Sequence, residues 1–278
     1  MTETSAVNMT VRSVTVDEIS FFFEHGWVKL PGLVNTEGAV GLLAGAKRLL
    51  GERGDAPLAN AEGRKEKDFT WFRTYVDAGR DDEFFAALAN SRELGHNAAR
   101  LFGRDSSIRR MQDSLMVKLP ASQGRNSAPT LFHQDTRDQQ FFEANSLNVW
   151  LALDEVTPDM GALQFYSGSH KLGNLGSFAD REVRQGWGDR LAQSCSLTEP
   201  IHLLPGDATV HTHYTIHGTG ENSTDRPRWA WGSMLLPGDA LYTGARSSYT
   251  DGLGLEPWKP FDVPNFPVIY DPDQIPSL

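Results

Sequence analysis

With 278 residues, 39% of them hydrophobic and 10% aromatic, the chain can bury one sizeable core and has an ordinary composition for a globular protein. Its 26 Lys and Arg against 36 Asp and Glu leave a net charge of −10, which argues against nucleic acid or an anionic membrane as partner. A single cysteine, Cys195, excludes an internal disulfide; 1–14 lacks the apolar run of a signal peptide and no stretch is long enough to span a bilayer, so the expected compartment is the cytoplasm.

The N-terminal third reads as helical with short extended links. Over 16–26, Ile19, Phe22 and Phe23 share a face, and Gly26 suits the left-handed position that closes a helix. Trp27 to Leu30 alternates briefly and stops at Pro31-Gly32. Asn35 is placed to cap a helix running to Gly51, and 51–68 reads as a polar loop before the aromatic cluster Trp71, Phe72 and Tyr75. Two more helices are expected over 81–89 and 92–102, the second capped by Ser91 and closed by Gly103.

From about Ile108 the rhythm changes to short strands separated by Gly, Pro, Asn and Asp. Asp113, Leu115, Val117 and Leu119 form one face of a strand, and Gln112, Ser114, Met116 and Lys118 the other. Over 147–154, Leu147, Val149, Leu151 and Leu153 oppose Asn148, Trp150, Ala152 and Asp154. Further strands are expected over 201–204, 208–213 and 228–235. Many short strands behind a helical cap imply an α+β chain whose β part is a jelly roll. The apolar faces would pack under the helices, and the polar faces would line an interior cavity. Without a repeat, charge block or low-complexity tract, 1–278 reads as a single domain: a mainly helical cap over 1–104, then a jelly-roll core with a C-terminal covering segment over 105–278.

Within that core, His133-Gln134-Asp135 puts an imidazole and a carboxylate on the same side of an extended segment. Such a pair plus a remote histidine makes the 2-His-1-carboxylate triad of non-haem Fe(II) sites, which leaves coordination positions open. His202, His211, His213 and His217 are the candidates for the remote ligand, and strand parity does not choose among the last three. Arg228 shares its face with the small residues Ala230 and Gly232, which leaves room for a carboxylate gripped by the guanidinium; Arg226 is its rival. His170, in Gly-Ser-His, reads as a structural turn residue.

His133-Gln134-Asp135, 150–154 (Trp-Leu-Ala-Leu-Asp), Gly161-Ala162-Leu163, Gly168-Ser169-His170, Gly206-Asp207, His217 and Arg228 together resemble the phytanoyl-CoA dioxygenase family. That resemblance implies a double-stranded β-helix (cupin-like) fold, Fe(II), the co-substrate 2-oxoglutarate and O2. It implies His133, Asp135 and His217 as iron ligands. Arg228 and Thr219 would hold the distal carboxylate of 2-oxoglutarate, and Trp150, Gln112 and Ser114 would contribute further co-substrate contacts. Because Asp135 is intact, halogenation by a carboxylate-free site is not expected.

The expected reaction is oxidation of a C–H bond in a small organic molecule, by default hydroxylation, with release of succinate and CO2. Epimerisation, cyclisation or desaturation on the same iron is the alternative, and a non-catalytic cupin-like binding protein the alternative from another class. An aromatic, mostly uncharged lining suits a hydrophobic or polycyclic small molecule, and because the acidic chain shows no evident basic cluster for the CoA phosphates, a secondary-metabolite intermediate, as in antibiotic biosynthesis, is expected rather than an acyl-CoA. Arg137, Phe141, Trp71 and Phe72 are expected at the substrate, with Gln140 nearby and Arg137 or Arg73 available for a polar substituent. Tyr242 and Trp258 lie in the stretch expected to cover the barrel; the sequence leaves the oligomeric state open.

Overall fold

A computed structural model of the chain describes residues 8–56, 71–121, 127–137, 139–176 and 181–274. The end of the loop expected over 51–68 lies outside the described residues.

Helix α1 (Val16–His25) starts where Thr15 and Glu18 form a reciprocal capping box and ends at Gly26, whose φ is +78°. Only Phe22 is fully buried on it, and Phe23, expected on the inner face, is half exposed. Strand β1 (Trp27–Leu30) follows, then α2 (Thr36–Leu50). Asn35 precedes α2 without capping it, because its Oδ1 accepts the Thr10 amide at 2.8 Å instead. After β2 (Phe72–Val76), α3 (Glu83–Ala89) begins two residues later than expected, since the Asp82 carboxylate takes the amides of Phe84 and Phe85. Helix α4 (Arg92–Phe102) has the expected Ser91 cap and Gly103 stop.

The remaining strands are β3 (Ile108–Lys118), β4 (Thr130–His133), β5 (Phe142–Glu143), β6 (Leu147–Ala152), β7 (Leu163–Ser167), β8 (Ser196–Leu197), β9 (Ala208–Thr212), β10 (His217–Thr219), β11 (Arg228–Pro237), β12 (Leu241–Tyr242) and β13 (Val268–Tyr270), with helix α5 (Arg181–Ser194) between β7 and β8. The segment 201–204 is not a strand; Leu203 makes a single bridge to Val156. A large antiparallel sheet runs β1-β9-β6-β11-β3-β13, with β2 also pairing β3, and a smaller one runs β4-β10-β7-β8. The helical third therefore does more than cap the barrel: β1 and β2 are built into its larger sheet.

Alternation sorts the large sheet's two faces. Leu115, Val117, Leu147, Val149, Leu151, Trp229 and Trp231 point to the helices and join Phe22, Leu42, Phe85 and Leu101 in the main core. Trp231 is fully buried there and its indole N–H reaches Asp113 Oδ2 at 3.3 Å. The opposite face, with Trp150, Ala152 and Ala230, looks toward the small sheet, where Trp27 of β1 stacks on Phe165 of β7 at 4.8 Å. A third cluster, built from Phe141, Phe142, Phe261 and Phe266, fastens the C-terminal segment over one end. The two sheets and their antiparallel pairing are those of an α+β cupin-like jelly roll.

Candidate metal centre and co-substrate pocket

Strand β10 is only three residues long, yet it seats the remote histidine by pairing on both sides. His217 is the register partner of His133 on β4 and of Phe165 on β7. His133 ends β4, and Asp135 has left the strand for a 3-10 turn, held where its amide donates to His213 O at 3.1 Å. The His-x-Asp pair thus converges through a turn, not through strand alternation. Suitable ligand atoms of His133, Asp135 and His217 all lie within 4.8 Å of one another. His133 Nε2 is 3.5 Å and His217 Nε2 3.8 Å from Asp135 Oδ1.

Hydrogen bonds behind the rings set the tautomers. Nδ1 of His133 faces the Leu131 carbonyl at 2.8 Å and Nδ1 of His217 the Thr215 carbonyl at 3.0 Å. A carbonyl only accepts, so each Nδ1 carries a proton and each Nε2 is the nitrogen left to ligate. Burial, then the neighbouring His211, push His217 down to about 3, so it is a neutral imidazole near pH 7. Burial pushes Asp135 up, but His217, His133 and His211 overcome it and hold the carboxyl well below the usual range. Two imidazoles with their Nδ1 protons committed to carbonyls, beside an ionised carboxylate, are the donor set that a divalent iron takes. The residues fit the metal.

The other carboxylate oxygen is occupied from the large sheet. Asn148 on β6 donates its amide to Asp135 Oδ2 at 2.6 Å, and His211 Nε2 on β9 stands 3.4 Å from the same atom. Asn148 and His211 are register partners, so one rung of the sheet delivers both. His211 belongs to the wall of the site beside the triad; His213 is buried against Phe142 and does not line the cavity, and exposed His202 pairs with Glu155. His170 lies in a 3-10 turn packed on Gly26, consistent with a structural residue.

The triad opens on a cavity of about 310 Å³ between the two sheets. Arg228, Thr219, Trp150, Gln112 and Ser114 all line it. Arg228 is buried, its guanidinium 5.0 Å from the Trp150 ring, and Nη1 donates to the Gly161 carbonyl while Nε has no partner among the described residues. Burial lowers its pKa to about 9, so it stays a cation near pH 7. Arg226, by contrast, is exposed near Glu155. Ala230 and Gly232 share the inner face with Arg228, and a Cβ at Gly232 would lie 2.6 Å from the Met116 methyl. An open, apolar-walled end with buried donors suits a dicarboxylate.

The expected substrate residues fare unevenly. Phe72 lines the cavity. Trp71 does not; its ring lies 5.4 Å from the Lys118 ammonium, behind the wall. Phe141 is 1% exposed and packs between Phe142, Tyr249 and Phe261, so it is core of the C-terminal cover and not a substrate contact. Arg73 is unavailable, since its guanidinium holds the Gly54 and Ala56 carbonyls. The side chain of Arg137 lies outside the described part of the structure, and Gln140 is exposed. Trp258 is also exposed, while Tyr242 is buried in the cover. Gln139, Asn148, Ser233, Met234 and Tyr249 line the cavity and were not singled out from the sequence; alternation with Trp150 could have found Asn148, but Tyr249 arrives by tertiary packing alone.

Residues 22–230 match the phytanoyl-CoA dioxygenase (PhyH) family. Among curated proteins, a methylphosphonate hydroxylase of Gimesia maris is 30% identical over 96 residues, 34% of this chain and 35% of that one. The dioxygenase lolE1 of Epichloe uncinata is 29% identical over 132 residues, 47% of this chain and 46% of that one. The matches thus span less than half the length of these relatives. Among solved structures, the alpha ketoglutarate-dependent carbocyclase SnoK from nogalamycin biosynthesis superposes with TM-score 0.73 at 22% identity, covering 93% of this chain and 99% of SnoK. The alpha ketoglutarate-dependent epimerase SnoN from the same biosynthesis gives 0.70 at 23%, covering 91% and 97%. At these identities the likeness shows the fold. Because the family match extends over most of the chain, from α1 into β11, the chain belongs to the phytanoyl-CoA dioxygenase family of non-haem Fe(II)/2-oxoglutarate-dependent oxygenases.

Proposed function

We propose that this protein oxidises a C–H bond of a small organic molecule, by default through hydroxylation, with His133, Asp135 and His217 holding Fe(II) and Arg228 anchoring 2-oxoglutarate. The observation that carries the reading is one cavity with a preset His/Asp/His face at one side and, at the other, a buried guanidinium without a carboxylate partner among the described residues. Iron bound with 2-oxoglutarate and O2 supplies an oxidant able to take hydrogen from an unactivated C–H bond, with succinate and CO2 as co-products.

The chain's own residues do the rest. The Leu131 and Thr215 carbonyls keep both imidazoles in the ligating tautomer. Asn148 engages Asp135 Oδ2, so Oδ1, on the side of His133 and His217, is the oxygen that would be available to Fe(II). Arg228, with Thr219 beside it, receives the distal carboxylate, and Trp150 keeps the guanidinium plane in place. Phe72, Met234 and Tyr249 give the remaining wall apolar and aromatic surface that excludes water, while Gln112, Ser114, Gln139 and Ser233 offer neutral hydrogen bonds. Among the described residues, Asp135 and Arg228 are the charged groups of the lining, and both are committed. A neutral, largely apolar substrate, such as a polycyclic secondary metabolite, suits this wall better than an acid or an acyl-CoA. No helix among the described residues is long and apolar enough to cross a membrane.

The test is succinate formation under air with added Fe(II), 2-oxoglutarate and pools of neutral small molecules. Wild type should form succinate, and Asp135→Ala should lose at least about a hundredfold in rate. Unchanged turnover in the variant would overturn the ligand assignment, and a wild type that binds small molecules but never forms succinate would mark a binding protein. Product mass then assigns the outcome: one oxygen gained for hydroxylation, none for epimerisation, two hydrogens lost for ring closure or desaturation.

A further inference from the structure

Lys118 is a fully buried cation for which the motif set above has no role. It ends β3 directly opposite Arg228 in the β3/β11 register, so two positive side chains start from one rung. Its stem passes Gly161, where a Cβ would lie 3.2 Å from Lys118 Cδ. The ammonium donates to Thr219 Oγ1 at 2.7 Å and to the Gly220 carbonyl. From the other elements it faces Trp71 at 5.4 Å, Arg228, and the exposed Glu221, which acts on it only through its charge. Among the described residues neither Lys118 nor Arg228 has a carboxylate partner. Two buried cations side by side without a counterion cost stability unless an anion joins them.

The Thr219 hydroxyl transmits this arrangement to the cavity. Its oxygen accepts from Lys118 and also faces the Thr130 amide at 3.4 Å. With its lone pairs so engaged, the hydroxyl must turn its own proton elsewhere, and Thr219 lines the cavity beside Arg228. We infer that Lys118 is a positioning residue of the co-substrate pocket: it orients the Thr219 O–H toward the distal carboxylate and places a second positive charge behind it. This rests on the assignment of 2-oxoglutarate to that pocket. Burial, then Arg228, lower the Lys118 pKa to about 7, so an arriving dianion draws a proton onto the amine at pH 8.

The experiment is anaerobic calorimetric titration of 2-oxoglutarate into the metal-loaded protein between pH 6.5 and 8, in two buffers of different ionisation enthalpy. Wild type should bind with proton uptake that grows toward pH 8 and an affinity that weakens over the same range. Lys118→Met should bind about tenfold more weakly at pH 6.5, with no proton uptake and a flat pH profile, while metal affinity stays unchanged. Thr219→Val should lose affinity but keep the uptake. A folded Lys118→Met with wild-type affinity and pH profile overturns the inference. If that variant does not fold, the wild-type titration decides alone, since binding without proton uptake at pH 8 overturns it as well. Absence of 2-oxoglutarate binding by wild type overturns this inference and the co-substrate assignment together, whereas binding indifferent to Lys118 overturns this inference only.

Discussion

The two oxygens of Asp135 have different neighbours, and that difference shapes the centre. Oδ1 looks to His133 and His217, whereas Oδ2 is engaged by Asn148 and stands beside His211. Removing the amide frees Oδ2 to rotate toward the metal or away from it. Asn148→Leu, close in volume and unable to donate, should lower Fe(II) affinity about tenfold with little change in folding, measured by metal competition and thermal unfolding. Lys118 makes a second residue-scale prediction. Its folded pKa, about 7, lies below the ordinary lysine value, so between these pH values the unfolded chain binds more protons. Stability of the ligand-free protein should therefore rise with pH above about 7, with the full burial penalty present below it. Lys118→Met should flatten that limb, raising the urea midpoint at pH 6.5 more than at pH 9; equal shifts at both would remove the titration from the account. At this scale the sequence was informative about chemistry, because His133, Asp135 and Arg228 sit in a recognisable order of motifs. It was uninformative about Lys118 and Tyr249, whose importance lies in what they meet across the fold.

At the scale of the element, short strands are held by their neighbours rather than by propensity. Strand β10 has three residues and is fixed by β4, β7 and the turn before it. Gly26 anchors that turn from the end of α1: its carbonyl accepts from the Thr212 amide and from Thr215 Oγ1 at 2.6 Å. Its φ of +78° disfavours a side chain, and a Cβ would lie 2.3 Å from His170 Nδ1 and 2.8 Å from Thr215 Oγ1. Gly26→Ala should cost more than about 1 kcal/mol, from left-handed strain plus the displaced imidazole, and lower the denaturant midpoint accordingly. Helix ends were legible in sequence because capping is local, as at Ser91 and Gly103. Strands β4, β7 and β10 were not, since three to five residues carry too little alternation to stand out. The expected strand over 201–204 is a single bridge because Leu203 alone meets Val156.

At the scale of the molecule, the helices stiffen the large sheet from behind and leave its inner face to the cavity. The C-terminal segment closes the remaining end through Phe261, which is fully buried with its ring centroid 5.5 Å from Phe266, 5.9 Å from Tyr242 and 6.3 Å from Phe141. Phe141 in turn stacks on the cavity residue Tyr249 at 5.4 Å. Phe261→Ala should cost about 3–5 kcal/mol in unfolding free energy and, through Tyr249, raise the KM for substrate more than that for 2-oxoglutarate; equal effects would sever the cover from the substrate side. By itself the sequence determined the alternation of strand faces, the caps at Ser91 and Gly103 and the reactive residue types, because these follow from local geometry and side-chain chemistry. The tertiary structure decided how closely His133, Asp135 and His217 converge, which oxygen of Asp135 faces the two histidines and which aromatics reach the cavity. Those depend on register between strands far apart in the chain, and on how much water packing removes around each charge.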